Sequence, residues 1–283
     1  MLALLLAAAI PYAGSAVCAN CHPRIAASQS KTGHARALKK ESTRWAFGSG
    51  LQAITYVSQL DEDRYLEHGL SWYRKTNGLD LTPGHSSREG VAYRTFASDA
   101  AILRCFQCHS TGKLRLAAGR EILPSEPGVR CETCHGPGGE HVKDPALTRP
   151  RNPKKMTATQ INNLCGECHR MPPAAGAETN WDNPWNTRHQ PVYLNQAACF
   201  QKSGGRLSCL TCHPPHSSEP VDTNTRCVAC HENTRHRTAT AGKTCVNCHM
   251  PDVAPSALLR FSNHWIGIYG ENPLRPLAKR PRR

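Results

Sequence analysis

One five-residue word, Cys-x-x-Cys-His, recurs seven times along 283 residues, and nothing else in the sequence restricts the fold as strongly. It stands at Cys18/Cys21/His22, Cys105/Cys108/His109, Cys131/Cys134/His135, Cys165/Cys168/His169, Cys209/Cys212/His213, Cys227/Cys230/His231 and Cys245/Cys248/His249. The seven copies take fourteen of the fifteen cysteines and seven of the fifteen histidines. In such a word the two thiols reach the vinyl groups of one porphyrin, and the imidazole next to the second thiol is held beneath the iron. Zinc ribbons also use Cys-x-x-Cys pairs, but zinc has no need of a histidine directly after each second cysteine. A disulfide framework fits poorly with an odd total and seven uniform pairs. The expectation is seven covalently bound c-type haems, with the fourteen cysteines as anchors and His22, His109, His135, His169, His213, His231 and His249 as proximal iron ligands.

The composition makes the same demand from another side. Only 39% of residues are hydrophobic and 6% aromatic, with 21 Gly and 21 Pro, which is thin material for an ordinary core. Large flat apolar rings would supply the missing burial, so the chain should not fold without haem. The expected fold is mainly α with much irregular loop, wrapped around a haem stack as a single domain over residues 14–270. The motifs that begin at 105, 131, 165, 209, 227 and 245 are 26, 34, 44, 18 and 18 residues apart, so neighbouring macrocycles are forced close together. The long gap from Trp45 to Leu103 contains alternating segments, Leu51 to Val57 and Val91 to Phe96, and is read as a small sheet or hairpin. His34 is placed on a helix running on from Ile25.

A formal charge of +14 would ordinarily point to nucleic acid or an anionic surface. Counting the propionates, seven haems take that charge to about +7 when oxidised and about zero when reduced, so internal pairing of Arg and Lys with propionates is the favoured use. No nucleic-acid partner is expected. Residues 271–283 form a basic tail that ends AKRPRR. The start, MLALLLAAAI, is read as a signal peptide over residues 1–13, too short to span a bilayer. No other stretch is apolar and long enough to cross a membrane. Thioether attachment of haem requires export, which implies a periplasmic, cell-surface or extracellular location.

Eight histidines lie outside the motifs: His34, His68, His85, His141, His189, His216, His236 and His264. Supply nearly matches the demand of seven irons for a second axial imidazole. Six-coordinate bis-histidine iron exchanges electrons and leaves no vacancy for substrate, whereas an iron short of one imidazole would be open. The candidate distal ligands are His34, His85, His141, His189, His216, His236 and His264, with His68 as the spare. A distal histidine close in sequence to one motif is expected to serve a neighbouring haem, because its own iron already holds the adjacent imidazole. Cys199 is read first as a small buried hydrophobe and second as a thiolate ligand or redox thiol. Tyr193, Tyr269 and the tryptophans are read as haem-packing groups.

The segments CETCHGPGGEHV, RNPKK, CGECHR, ACFQKSGGRLSCLTCHPPHS, CVACH, CVNCHMP and NHWIGIY resemble those of exported multihaem cytochromes c with a tetrahaem-cytochrome-like arrangement. That superfamily includes tetrahaem carriers, pentahaem nitrite reductase and octahaem hydroxylamine oxidoreductase. The resemblance spans roughly residues 14–270, and it implies that His34, His141, His216 and His264 are distal ligands. Relatives often show a histidine in a Gly-Ser-Gly-x-His pattern. Here the segment reads GSGLQAITY, with Gln52 at that place, so either His85 or His68 substitutes or one haem is open or differently ligated. Larger relatives often carry tetratricopeptide repeats, which this chain lacks. The resemblance implies an electron carrier whose partners are other cytochromes, a quinol oxidoreductase or a terminal reductase, or further copies of itself in a filament. The alternative is an oxidoreductase acting on a small nitrogen or sulfur compound at one open haem.

Overall fold

The computed structural model describes residues 11–61, 64–85, 94–97, 101–174, 177–234, 236 and 243–277. Most of the expected signal peptide (1–10), Val91 to Tyr93 of the expected strand, and the run Ala278 to Arg283 lie outside the described residues. The chain groups into two compact units, residues 1–154 with 216–218, and residues 155–215 with 219–283.

The first unit begins with α1 (Ser15–Cys21) and α2 (Pro23–Gln29), the latter with a proline in its first turn, where no backbone N–H is needed. The chain then turns through His34 into strand β1 (Leu38–Glu41) rather than continuing as the expected helix. Two contacts hold this turn: the His34 carbonyl accepts from Val129 N at 2.8 Å, and Gln29 Nε2 donates to the Val129 carbonyl at 2.9 Å. Gly128 has φ +81°, and a Cβ on it would meet the Ala35 carbonyl at 2.1 Å, so only glycine lets the two backbones approach.

The long gap is a seven-stranded antiparallel sheet, larger than a hairpin. Its strands are β1, β2 (Arg44–Phe47), β3 (Ala53–Gln59), β4 (Arg64–Glu67), β5 (Leu70–Tyr73), β6 (Gly78–Leu81) and β7 (Arg94–Ala97). The order is β1-β2-β3-β4-β7, with β5 pairing β3 and β6 beyond it. Alternation puts Trp45, Phe47, Val57 and Tyr65 into a core that α3 (Ala101–His109) completes with Ile102 and Phe106. The ring of Phe106 stands edge-on to Trp45 at 5.2 Å, Phe47 at 5.0 Å and Tyr65 at 6.1 Å. Ile102 and Phe106 are four apart on one face of α3, which turns Cys105 and Cys108 away from that core. The hairpin β8 (Ser110–Leu116) and β9 (Ile122–Pro127) follows, then α4 (Cys131–His135) and α5 (Gly139–Lys143).

The second unit is nearly all short helices: α6 (Ala158–His169), α7 (Gln190–Leu194), α8 (Ala198–Lys202), α9 (Cys209–Cys212), α10 (Thr223–His231) and α11 (Cys245–His249). One small hairpin, β10 (Asp252–Ser256) with β11 (Leu259–Ser262), closes it. Thr157 and Gln160 form a reciprocal capping box at the start of α6, and Asp222 caps α10 through Asn224 N and Thr225 N. Eleven α-helices and eleven strands among the described residues make the content mixed rather than mainly α. The difference arises chiefly in residues 38–97, where seven of these strands lie and pairing between distant strands overrides weak local patterning.

Candidate haem centres

Each attachment word occupies about one helical turn. The two cysteines, three apart, and the histidine one residue further therefore fall on one face, as ligation of a single porphyrin requires. The motif helices pack in pairs: α1 with α4, α6 with α9, and α10 with α11. In each pair the first cysteines meet, Cys18 with Cys131, Cys165 with Cys209 and Cys227 with Cys245. Burial first, and then the neighbouring thiol, pushes Cys18 and Cys227 up to about 11.

The second cysteine of each word is accessible as well. Cys21, Cys168, Cys230 and Cys248 are exposed, while Cys108, Cys134 and Cys212 are half-buried. All fourteen motif cysteines are free thiols. The turn that carries Cys134 is held from outside, since Arg151 Nε donates to the Cys134 carbonyl at 2.8 Å.

A polar residue three positions before the first cysteine ties each pair together. Asn162 Oδ1 accepts from Cys209 N at 2.9 Å, Asn224 Oδ1 accepts from Cys245 N at 2.8 Å, and Ser15 Oγ lies 3.4 Å from Cys131 Sγ. The sequence reading missed this device, although its signal was present. Ser15, Asn162 and Asn224 stand three before Cys18, Cys165 and Cys227, whereas Ile102, Gly128, Arg206 and Gly242 hold that place in the other four motifs. Glu132, inside the third motif, adds a further tie. Its buried carboxylate accepts from Ala13 N at 2.8 Å, Gly14 N at 2.8 Å and Gly138 N at 2.7 Å, fixing the entry to α1.

Four motif histidines face a second imidazole. The ring centres of His22 and His141 are 6.5 Å apart, those of His135 and His216 6.0 Å, those of His213 and His264 6.1 Å, and those of His236 and His249 6.1 Å. The first three pairs are near parallel, at 16°, 14° and 27°, and the fourth is tilted at 54°. With metal–nitrogen distances of about 2.0 Å, two imidazoles on opposite sides of one metal have centres about 6 Å apart. The four pairs thus have the separation that one iron between them requires, and the residues fit the group. His141, His216 and His236 each face a motif histidine other than the one they closely follow in sequence.

The tautomers agree with this arrangement. Nδ1 lies 2.8 Å from the Arg151 carbonyl in His135, 2.7 Å from Gly267 in His249, 2.7 Å from Thr148 in His141 and 2.9 Å from Ser262 in His264. The same nitrogen of His109 lies 2.9 Å from the Ala37 carbonyl, and that of His169 lies 3.1 Å from Gln190 Oε1. A carbonyl oxygen only accepts, so Nδ1 carries the proton and Nε2 keeps its lone pair for a metal. Burial also keeps several of these rings neutral, the form that ligates. It lowers His213 and His216, and it takes His264 down to about 4 against a smaller opposing pull from the Ser262 carbonyl. His189 falls to about 4 through burial, with Arg188 next.

Of the remaining candidates, His189 lies close to His169. His34 is exposed on its turn. His68 Nε2 is 2.8 Å from Ser58 Oγ, and the fully enclosed His85 has Nε2 3.1 Å from Glu67 Oε2. The Gln52 carbonyl accepts from Arg74 N at 2.8 Å, between β3 and β5. Cys199 sits half-buried beside the thiols of Cys212, Cys227 and Cys230. Burial raises it, which favours the thiol over a thiolate ligand. Tyr193 is enclosed against Trp181, which also meets Trp265. Tyr193 OH and Asn162 Nδ2 are buried donors without a partner among the described residues.

The cytochrome c554 and c-prime family matches residues 72–136, a stretch that holds the motifs of His109 and His135. Among solved structures, the outer cell wall cytochrome OcwA is similar with a TM-score of 0.60 at 15% identity, over 90% of this chain and 79% of that one. The undecahaem cytochrome from the S-layer of Carboxydothermus ferrireducens is similar with a TM-score of 0.51 at 17% identity, over 87% of this chain and 45% of that one. No curated protein sequence matches the chain significantly. The fold is similar to that of these two cytochromes. Among the described residues no helix is long and apolar enough to cross a membrane.

Proposed function

We propose that this chain is an extracytoplasmic heptahaem c-type cytochrome that passes electrons between redox partners. The four imidazole pairs at 6.0–6.5 Å carry the reading, since each is spaced to hold one six-coordinate iron. When bound, each haem supplies a reversible one-electron couple. The chain contributes position: the meeting of Cys18 with Cys131, Cys165 with Cys209 and Cys227 with Cys245 brings the attachment edges of three motif pairs together. Cys21, Cys108, Cys134, Cys168, Cys212, Cys230 and Cys248 supply the second thioether of each word. His22, His135, His213 and His249 act as proximal ligands, with His141, His216, His264 and His236 opposite them. His109, His169 and His231 are the proximal ligands of the other three. Asn162 Nδ2 and Tyr193 OH are donors suited to propionates. The two similar structures are a cell wall and an S-layer cytochrome, which supports placement outside the cytoplasm. The natural partners are other cytochromes, a quinol oxidoreductase or a terminal reductase, and further copies of the chain in a filament.

The test is intact mass of the exported protein together with low-temperature EPR. Seven covalent haems and a ferric spectrum dominated by low-spin bis-histidine signals are expected. A mass short of seven haems, or a spectrum mainly high-spin, would sink the reading.

A further inference from the structure

All fifteen histidines lie among the described residues, so the supply of imidazole can be set against the demand of seven irons. Four irons are provided for by the facing pairs, which leaves those of His109, His169 and His231. Four other histidines remain: His34, His68, His85 and His189. The strand module holds two of them by the nitrogen an iron would need. His68 Nε2 is bonded to Ser58 Oγ, and His85 Nε2 to Glu67 Oε2 with the His85 side chain only 1% exposed. An ionised carboxylate only accepts, so His85 Nε2 carries a proton and offers no lone pair. Releasing it would leave Glu67, itself 17% exposed, without that partner.

Two imidazoles, His34 and His189, are then left for three irons. His34 stands on the turn whose Ala37 carbonyl holds His109 Nδ1, and His189 adjoins Gln190, which holds His169 Nδ1. Among the described residues His231 has no such neighbour. It ends α10 exposed, and among the described residues no second ring is placed against it. His236, five residues on, faces His249 instead.

Building on the seven-haem reading, we propose that the iron held by Cys227, Cys230 and His231 has an open sixth position and binds small lone-pair ligands such as carbon monoxide, nitric oxide, cyanide or nitrite. The strand module causes this shortage by keeping His68 and His85, so the consequence of the long gap is felt at a motif far along the chain.

Haem-loaded, full-length protein is first weighed, then reduced and titrated with carbon monoxide. About one molecule should bind per chain, and the oxidised protein should show a high-spin ferric signal of the same size. The iron–carbon stretch of the adduct, read by resonance Raman, should shift in His231→Met and stay in place in His109→Met and His169→Met. His68→Gln and His85→Gln should leave the carbon monoxide stoichiometry unchanged, a check that does not depend on assembly of the His231 variant. Fewer than seven haems overturns both readings. Seven haems with no carbon monoxide bound overturns this one alone, as does an adduct that follows His109 or His169, or extra binding in either glutamine variant.

Discussion

Whether an imidazole can serve an iron depends on which of its two nitrogens the fold has already engaged. His135, His141, His249 and His264 bond through Nδ1 to backbone carbonyls and keep Nε2 for a metal, whereas His68 and His85 bond through Nε2 to side chains of the sheet. Sequence offset cannot distinguish the two cases, because both kinds of histidine appear in polar, loop-like segments. His68 also carries a consequence for stability. Burial, with Arg44 adding, holds its pKa below the ordinary value of about 6.5. On acidification the unfolded chain therefore takes up the proton first. The sheet should be at full strength above about pH 6.5 and weaken as the pH falls through that value toward the lower folded one. Hydrogen exchange of β3 and β4 amides at about pH 7.5 and about pH 5.5 should show acid loosening in the parent. His68→Gln should reduce it, and equal acid sensitivity in both proteins would count against the assignment.

At the scale of elements, the seven motifs could be read directly because covalent attachment needs five contiguous residues, and any fold must present them on one turn. The pairing of motifs could be read only in part. Spacing of 18 residues makes α10 and α11 neighbours, but nothing in the spacing foretells that α1 pairs with α4, over a hundred residues away. The residue three before the first cysteine is the better signal, since Asn162 and Asn224 reach over to cap the next motif helix at Cys209 and Cys245. Removing such a cap costs about 1 kcal/mol and leaves an amide without its partner. Asn162→Ala and Asn224→Ala should therefore retain every haem yet speed amide exchange at Cys209 and Cys245 several-fold. Asn163→Ala, one position along on the exposed side of α6, is the control. Exchange as slow in Asn162→Ala as in that control would show that the contact does not hold the pair. The seven-stranded sheet was the least legible element. Strands of four residues such as Arg44–Phe47 and Leu70–Tyr73 gain their stability from partners outside any sequence window.

At the scale of the whole molecule the two units differ in what holds them. In the first, Leu38, Trp45, Phe47, Val57, Tyr65, Ile102, Phe106 and Ile122 form one contiguous cluster, so side chains supply a core of ordinary kind. In the second, the buried apolar residues are few, among them Ile161, Val192, Tyr193 and Val253, and α9, α10 and α11 bury no residue of their own. Four-to-nine-residue helices such as α9, α10 and α11 are too short to persist on propensity alone. On the seven-haem reading, haem is the structural partner that the second unit would depend on, and the first would need it less around the sheet. Chain produced where haem is not attached should lose cooperative unfolding, with amide protection lost across α6 to α11 and a remnant kept in β2, β3, β4 and α3. Hydrogen exchange with mass spectrometry on haem-free and haem-loaded protein reads this difference directly. Protection of α9 to α11 equal in both forms would mean that the polypeptide builds the second unit unaided, and the view of haem as its core would have to be abandoned.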